Sequence, residues 1–233
     1  GIMGQPMALN LVKAGYRLVV FNRSREKADA MAGEFVQVAS SPAEVASRCQ
    51  MVITIVTDSA AVEEVVAGPQ GLLGSVTPGS VVIDMSTISP AVEQRLDAEL
   101  RKVSATLVDA PVSGGDIGAQ NGTLAIMAGG DHDSFERSFP LFEAMGKTIT
   151  YCGPVGSGQL TKLCNQILVS VSLLAVTEAI TFARKTGLDP ETMIEAVKGG
   201  AAGSWQLANL GPKIADRDFA PGFMIDLMQK DLR

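Results

Sequence analysis

An α/β fold, a doubly wound, mainly parallel sheet followed by an all-α domain, is predicted by three features of the sequence. Met51-Val52-Ile53-Thr54-Ile55-Val56, Val81-Val82-Ile83-Asp84 and Thr106-Leu107-Val108-Asp109 are short, almost continuously apolar runs. Such runs indicate strands buried on both faces, hence a largely parallel sheet between helix layers. Helical patterns alternate with these runs, and after Gly153 the strand signal stops.

The elements follow in order. Gly4, Met7, Ala8, Leu11 and Val12 recur at helical spacing up to Gly15, and Arg17-Leu18-Val19-Val20-Phe21-Asn22 then reads as a strand. A helix over about residues 24–32 and a short strand near Phe35–Val38 come next. Ser41-Pro42-Ala43-Glu44 opens the following helix as a capping box with proline at its first position. Helices around 60–67 and 90–102 separate the three apolar strands, and Ser89-Pro90 reads as a helix start with Ser89 as the cap. Thr123–Ala128 and Lys147–Tyr151 are strands around a helix near 132–145 and extend the sheet edge. Residues 157–186 form one long helix of roughly 45 Å at about 1.5 Å per residue, and Asp189-Pro190-Glu191 caps another. The tail consists of helical patches broken at Gly199-Gly200, Gly211-Pro212 and Pro221-Gly222. Two domains are expected, 1–155 and 156–233. The first helix has no strand before it and Lys230-Asp231-Leu232-Arg233 carries no terminating signal, so the pattern reads as truncated at both ends.

Composition narrows the functions. At 233 residues, 46% hydrophobic, the chain can bury a substantial core. Its formal charge of −6 disfavours nucleic acid, which is bound through many Lys and Arg contacts to phosphate. Cys49, Cys152 and Cys164 are too scattered for a disulfide framework or a metal knuckle, so a reducing, cytoplasmic setting is expected. His132, the one histidine, lies in the polar stretch Gly130–Ser134 and reads as a solvated helix-start residue; no metal site is expected. The apolar run Ile167–Ala183 is interrupted by Glu178 and is too short to span a bilayer, so a buried core helix is expected and no membrane partner.

Lys162 and Asn165 are a candidate pair for one small polar ligand, the alternative being a snorkelling lysine whose stem covers apolar surface. They follow the glycine-rich run Gly153-Pro154-Val155-Gly156-Ser157-Gly158, one turn apart at the start of the long helix. A helix N-terminus carries roughly half a positive charge, so a lysine there needs an anion facing it. Positions three apart share a face and can converge on one polar ligand, while Leu160, Leu163, Cys164, Ile167 and Leu168 supply packing.

The ligand of a doubly wound sheet lies over the carboxyl ends of its strands. Gly1-Ile2-Met3-Gly4 would be the second half of a G-x-G-x-x-G fingerprint, the Rossmann-type dinucleotide turn, with Ile2 and Met3 beside the cofactor. At the end of the next strand a carboxylate would hold a ribose diol, whereas Asn22-Arg23-Ser24-Arg25 offers cations and hydroxyl suited to a 2′-phosphate, unless Arg23 and Arg25 are plain surface charges. NADP(H) is therefore expected over NAD(H), which stays possible. Thr87, after the strand ending at Asp84, reads as a further cofactor contact. After the strand ending at Asp109, Ser113-Gly114-Gly115 can curl its backbone N–H groups around a small carboxylate.

With these residues assembled, the chain resembles the β-hydroxyacid dehydrogenase family over essentially its whole length. Gly1–Ala8 resembles the family's cofactor fingerprint, Asp109–Gly115 its substrate loop and Gly153–Asn165 its catalytic G-x-x-G-x-G-x-x-x-K-x-x-N. Phe223 and Lys230-Asp231-Leu232 resemble the segment that closes over the cofactor, and the neighbourhoods of Gly199–Ser204 and Pro221–Leu227 look most like tartronate semialdehyde reductases. Two departures bear on the cofactor: Asn22-Arg23 replaces the acid of NAD-preferring members, and Val56-Thr57 stands where Leu-Pro is usual. The resemblance implies reduction of a small carboxylate-bearing aldehyde, with Lys162 as proton donor, Asn165 orienting, and Val56, Phe223 and Lys230 at the cofactor. A 3-hydroxyisobutyrate dehydrogenase or a glyoxylate or succinic semialdehyde reductase is the alternative within it. A homodimer or homotetramer through the helical domain is also expected. Outside it stand an imine reductase, which typically lacks this lysine, and a silent NADPH-binding or dimerisation module.

Overall fold

A computed structural model of the chain describes residues 1–220 and 222–232. Pro221, half of the expected Pro221-Gly222 break, and Arg233 lie outside the described residues. The chain forms two compact units, Gly1–Lys162 and Leu163–Arg233.

The first unit is a mixed, mostly parallel α/β sheet system of Rossmann type. Its strands are β1 (Leu18–Val20), β2 (Val36–Val38), β3 (Met51–Thr54), β4 (Val81–Asp84), β5 (Thr106–Asp109), β6 (Val112–Ser113), β7 (Leu124–Gly129) and β8 (Gly146–Gly153). β1 pairs with β2 in parallel, and a second sheet runs β3-β4-β5-β7-β6, with β8 also on β7. The β3–β4, β4–β5 and β7–β8 pairs are parallel, while β5–β7 and β6–β7 are antiparallel. The helices of this unit are α1 (Gly4–Lys13), α2 (Arg25–Asp29), α3 (Pro42–Arg48), α4 (Ser59–Ala67), α5 (Pro90–Lys102), α6 (Gly115–Asn121) and α7 (His132–Met145).

Strand alternation explains the two helix layers. Val81, Ile83 and Val108 point into one core with Met7 and Leu11 of α1 and Phe135, Phe142 and Met145 of α7. Their neighbours Val82 and Leu107 point the other way, to Val45 of α3, Val62 and Val66 of α4, and Leu96 and Leu100 of α5. Successive side chains of a strand face opposite sides, so a run that is apolar at every position requires cover on both.

The long helix α8 (Ser157–Thr186) begins in the first unit and continues into the second, which adds α9 (Pro190–Lys198), α10 (Trp205–Asn209), α11 (Gly211–Asp216) and α12 (Ile225–Asp231). Val176 and Ile180 of α8 pack with Ile194 of α9 and Leu207 of α10. The expectation that α8 is a buried core helix is corrected: Leu160, Ile167, Leu168, Val171, Leu174 and Phe182 are all more than half exposed. α8 is apolar around most of its circumference, and the helices that follow it leave these side chains exposed. The packing role expected of Leu160, Cys164, Ile167 and Leu168 fails for the same reason.

Several local expectations are refined. Ser41 caps α3 by accepting the Glu44 N–H at 3.1 Å. Glu44 reaches back not to the cap residue but one further, to the N–H and hydroxyl of Ser40, both at 2.7 Å. Asp189 caps α9 through the Thr192 N–H at 2.8 Å. Ser89 occupies the cap position of α5, but its side chain makes no capping bond; its own N–H donates to Ser59 Oγ at 3.3 Å. β6 and α6 occupy a stretch without a strong period in the sequence, where β7 supplies the pairing that a two-residue strand cannot announce. His132 is the first residue of α7 and is exposed.

Candidate active site

Three polar residues close the parallel strands side by side. The register aligns Thr54 of β3 with Asp84 of β4 and Asp84 with Asp109 of β5. All three are buried, so each needs a partner from the protein. Thr54 Oγ1 donates to Asp84 Oδ1 at 2.6 Å, and Ser86 Oγ donates to the same oxygen at 2.7 Å. Ser86 Oγ in turn accepts the Val56 N–H at 2.9 Å. Asp109 accepts the Gly156 N–H on Oδ1 at 2.7 Å and the Gln159 N–H on Oδ2 at 2.8 Å.

The glycine run is built for this docking. Gly153 and Gly156 have φ of +124° and +93°, which side chains with a Cβ rarely adopt. Gly158 lies so close to the sheet that a Cβ there would sit 2.5 Å from the Asp109 carbonyl oxygen and closer still to that of Met127. The start of α8 thus rests directly on the ends of β5 and β7. No acid lies in its first turn, and the acceptors for its N–H groups come from the Asp109 carboxyl group.

Lys162 is the sixth residue of α8 and is buried, 7% exposed. Gln159, one turn before it, is fully buried. Its Nε2 donates to the Ser86 carbonyl at 2.9 Å and to Glu93 Oε1 at 2.8 Å, while its Oε1 accepts the Ile88 N–H at 3.2 Å. Burial and the neighbouring Asp84 push Glu93 up to about 11. Burial raises Asp84 as well, and lifts Asp109 to about 7 against the pull of the Gly156 and Gln159 N–H groups.

Thr87 lies in the turn between Ser86 and Ile88, partly buried, and Val56 is held by the bond to Ser86. Ser113 is in β6, opposite Ala125, and Gly114 and Gly115 have φ of +133° and +64° at the start of α6. Met3 precedes α1 and packs on the core, whereas Ile2 is 71% exposed. The Asn22 amide donates to the Ser24 carbonyl at 2.8 Å, which shapes the turn and leaves the exposed Arg23 at its tip. Arg25 pairs with Asp29 at 3.4 Å, while Arg23 makes no ion pair among the described residues.

These features fit a dinucleotide. A Cβ on Gly4 would meet Ile55 at 3.0 Å, so the opening of α1 approaches the end of β3 as the fingerprint requires. α1 has neither a side-chain cap nor an acid in its first turn, which suits its N-terminus to pyrophosphate.

Within the helical unit, Asn165 Nδ2 donates to Gln166 Oε1 at 2.8 Å, and Gln166 Nε2 donates to Asp231 Oδ2 at 2.6 Å. Lys230 pairs with the other Asp231 oxygen at 2.8 Å. Asn165 and Lys230, both anticipated, are therefore linked through two residues that were not, Gln166 and Asp231. Phe223 is exposed, 51%. Asp84, Glu93 and Gln159 were also missed as a group, and so was the docking role of Asp109. One signal was present: Asp84 and Asp109 each directly follow an apolar run at the end of a strand.

The comparisons with known proteins agree. Residues 1–153 match the NAD binding domain of 6-phosphogluconate dehydrogenase, and residues 156–233 match the NAD-binding domain of NADP-dependent 3-hydroxyisobutyrate dehydrogenase. The chain is 42% identical to 2-hydroxy-3-oxopropionate reductase of Escherichia coli, over all of this chain and 79% of that protein. It is 38% identical to an NAD-dependent L-serine dehydrogenase of Pseudomonas aeruginosa, over all of this chain and 80% of the relative. Among solved structures, 3-hydroxyisobutyrate dehydrogenase of Mycobacterium tuberculosis with L-serine superposes with a TM-score of 0.89 at 34% identity, covering 99% of this chain and 81% of that one. A glycine-rich turn into a buried lysine, set on a nucleotide-binding sheet and matched along its whole length by such enzymes, makes this chain an NAD(P)-dependent oxidoreductase of the β-hydroxyacid dehydrogenase family.

Proposed function

We propose that the chain reduces a small carboxylate-bearing aldehyde to its hydroxy acid with NADPH, tartronate semialdehyde to glycerate being the leading case, and that Lys162 gives the proton. The observation that carries this reading is the burial of Lys162 at the opening of a helix docked on Asp109. A lysine ammonium carries a proton that it can pass to an oxygen on which negative charge develops. A bound nicotinamide cofactor supplies the hydride. Lys162 protonates the oxygen on which negative charge develops, Asn165 orients the substrate or the ammonium, and Ser113, Gly114 and Gly115 hold the carboxylate. Ile2, Met3, Val56 and Thr87 line the cofactor, Phe223 and Lys230 close over it, and Arg23 with Asn22 and Ser24 receives a 2′-phosphate. The positive φ of Gly114 and Gly115 supports the carboxylate role.

The exposed Ile167, Leu168, Val171, Leu174 and Phe182 support association of the helical unit into a homodimer or homotetramer. Cys49, Cys152 and Cys164 are free thiols, which supports a cytoplasmic setting. The test is steady oxidation of NADPH with tartronate semialdehyde, glyoxylate, succinic semialdehyde and, in reverse, 3-hydroxyisobutyrate. Turnover with tartronate semialdehyde above the others is expected. Absence of turnover with the whole panel overturns the reading in favour of a silent NADPH-binding module.

A further inference from the structure

The Gln159 side chain is bonded on every side. One edge of its amide meets the Ile88 N–H and the other meets two oxygens, of Ser86 and Glu93, so the amide cannot be turned over without breaking all of them. Ser86 and Ile88 flank Thr87, and Gln159 lies three residues before Lys162 on the same helix face. A single side chain therefore ties the turn carrying Thr87 to the helix carrying Lys162.

Glu93 anchors this tie. Its Oε2 and Asp84 Oδ2 are shut off from solvent and, among the described residues, have no N–H or hydroxyl donor. A bare carboxylate oxygen left so in the interior is strongly unfavourable. A proton on Glu93 Oε2, donated to Asp84 Oδ2, satisfies both at once. Asp84 is the better anion of the two, because its Oδ1 already receives Thr54 Oγ1, Ser86 Oγ and, at 3.4 Å, the Ser86 N–H. Asp109, the third carboxyl group nearby, adds like charge that also favours a neutral Glu93.

We propose that Glu93 is a positioning residue for the reduction: as a neutral acid bridging Asp84 to Gln159, it fixes the Thr87 turn against the opening of α8 and so sets the reach of Lys162. This rests on the reading of Lys162 as proton donor. Glutamine reproduces the acid form of Glu93, with an amide N–H for Asp84 and a carbonyl oxygen for Gln159, whereas alanine removes the bridge.

The experiment compares wild type, Glu93→Gln and Glu93→Ala, with kcat expressed per NADPH-binding site so that misfolded molecules do not count. Glu93→Gln is expected to keep kcat within about threefold of wild type, and Glu93→Ala to lose about tenfold or more, with KM for the aldehyde changed less than about threefold. Should Glu93→Ala fail to fold, Gln159→Met breaks the same bridge from its other end and carries the same expectation. A Glu93→Gln enzyme as impaired as the alanine variant, or a bridge-broken enzyme with wild-type kcat per site, overturns the proposal. Infrared difference spectra between wild type and Glu93→Gln at neutral pH supply a readout independent of turnover: one carboxylic-acid C=O band of wild type missing from the variant is expected, and the lack of such a difference overturns the neutral acid. If the wild type turns over no aldehyde, the reductase reading fails by itself, and the infrared band still decides the state of Glu93.

Discussion

Asp109 and Gln159 are joined carboxylate to backbone, the Gln159 N–H donating to Asp109 Oδ2 at 2.8 Å between residues 50 apart in sequence. With the Gly156 N–H on its other oxygen, Asp109 takes two of the N–H groups that a helix start leaves without partners. The end of one buried strand thus fixes where α8 begins. The two Asp109 oxygens take the place of the acid that the α8 sequence lacks in its first turn.

Gly158 is the position where this docking tolerates least. Its missing Cβ would press on the carbonyl oxygens of Asp109 and Met127, which are backbone atoms of the sheet and cannot rotate aside. Gly158→Ala is expected to destabilise by about 3 kcal/mol or more, as overpacking against rigid neighbours does, and to abolish turnover. Gly74→Ala, where a Cβ meets nothing within 4 Å, is the control and should be close to neutral. Chemical denaturation of both variants checks the pair; equal effects would refute the close approach.

Asp109 gives a pH dependence whose sign can be worked out. Burial lifts it to about 7 in the fold from an ordinary 3.8, so between these values the native state holds a proton that the unfolded chain has released. The contribution is fully present below about pH 4 and is lost as pH rises through about 7. Asp109→Asn removes that slope, so wild type should gain stability relative to the variant as pH falls from 8 to 5. A stability difference independent of pH across that range would contradict the raised value.

Glu93 obeys the same sign over a wider window. Its ordinary value is 4.5 and its folded one about 11, so at neutral pH the fold must keep a proton that the unfolded chain gives up. Stability from this group is complete below about pH 4.5 and falls as pH rises toward 11, at up to about 1.4 kcal/mol per pH unit. Glu93→Gln has no such proton to hold. Its melting temperature should overtake that of wild type as pH rises from 6 to 9, and parallel curves would show that Glu93 is already ionised.

How much of this was legible beforehand depends on the range of the interaction. The apolar runs of β3, β4 and β5 announced themselves because burial on both faces leaves a local mark, and Ser41 and Asp189 did so because a cap bonds within its own turn. The glycine run with Lys162 was legible because backbone constraint restricts residue type at fixed spacing. Glu93 was not, since nothing near it in sequence records that Gln159, 66 residues away, meets it in the interior. The exposed side of α8 was misread for a related reason: an apolar surface is visible in sequence, but what covers it is not.

Arg23 tests the cofactor assignment most directly. It sits exposed at the tip of the turn shaped by the Asn22–Ser24 bond and makes no ion pair among the described residues, so its charge is available to a 2′-phosphate. Arg23→Ala should raise KM for NADPH by about tenfold, the loss of roughly 1.4 kcal/mol expected for one charge-assisted phosphate contact, and leave KM for NADH nearly unchanged. Lys162→Ala is the complementary variant: kcat should fall by about a hundredfold or more, the scale of general acid catalysis, while NADPH binding followed by fluorescence stays within about twofold. The two variants separate binding from chemistry. A wild-type preference for NADH above about tenfold would remove the role given to Arg23 without touching Lys162, and a Lys162→Ala enzyme retaining most of its rate would do the reverse.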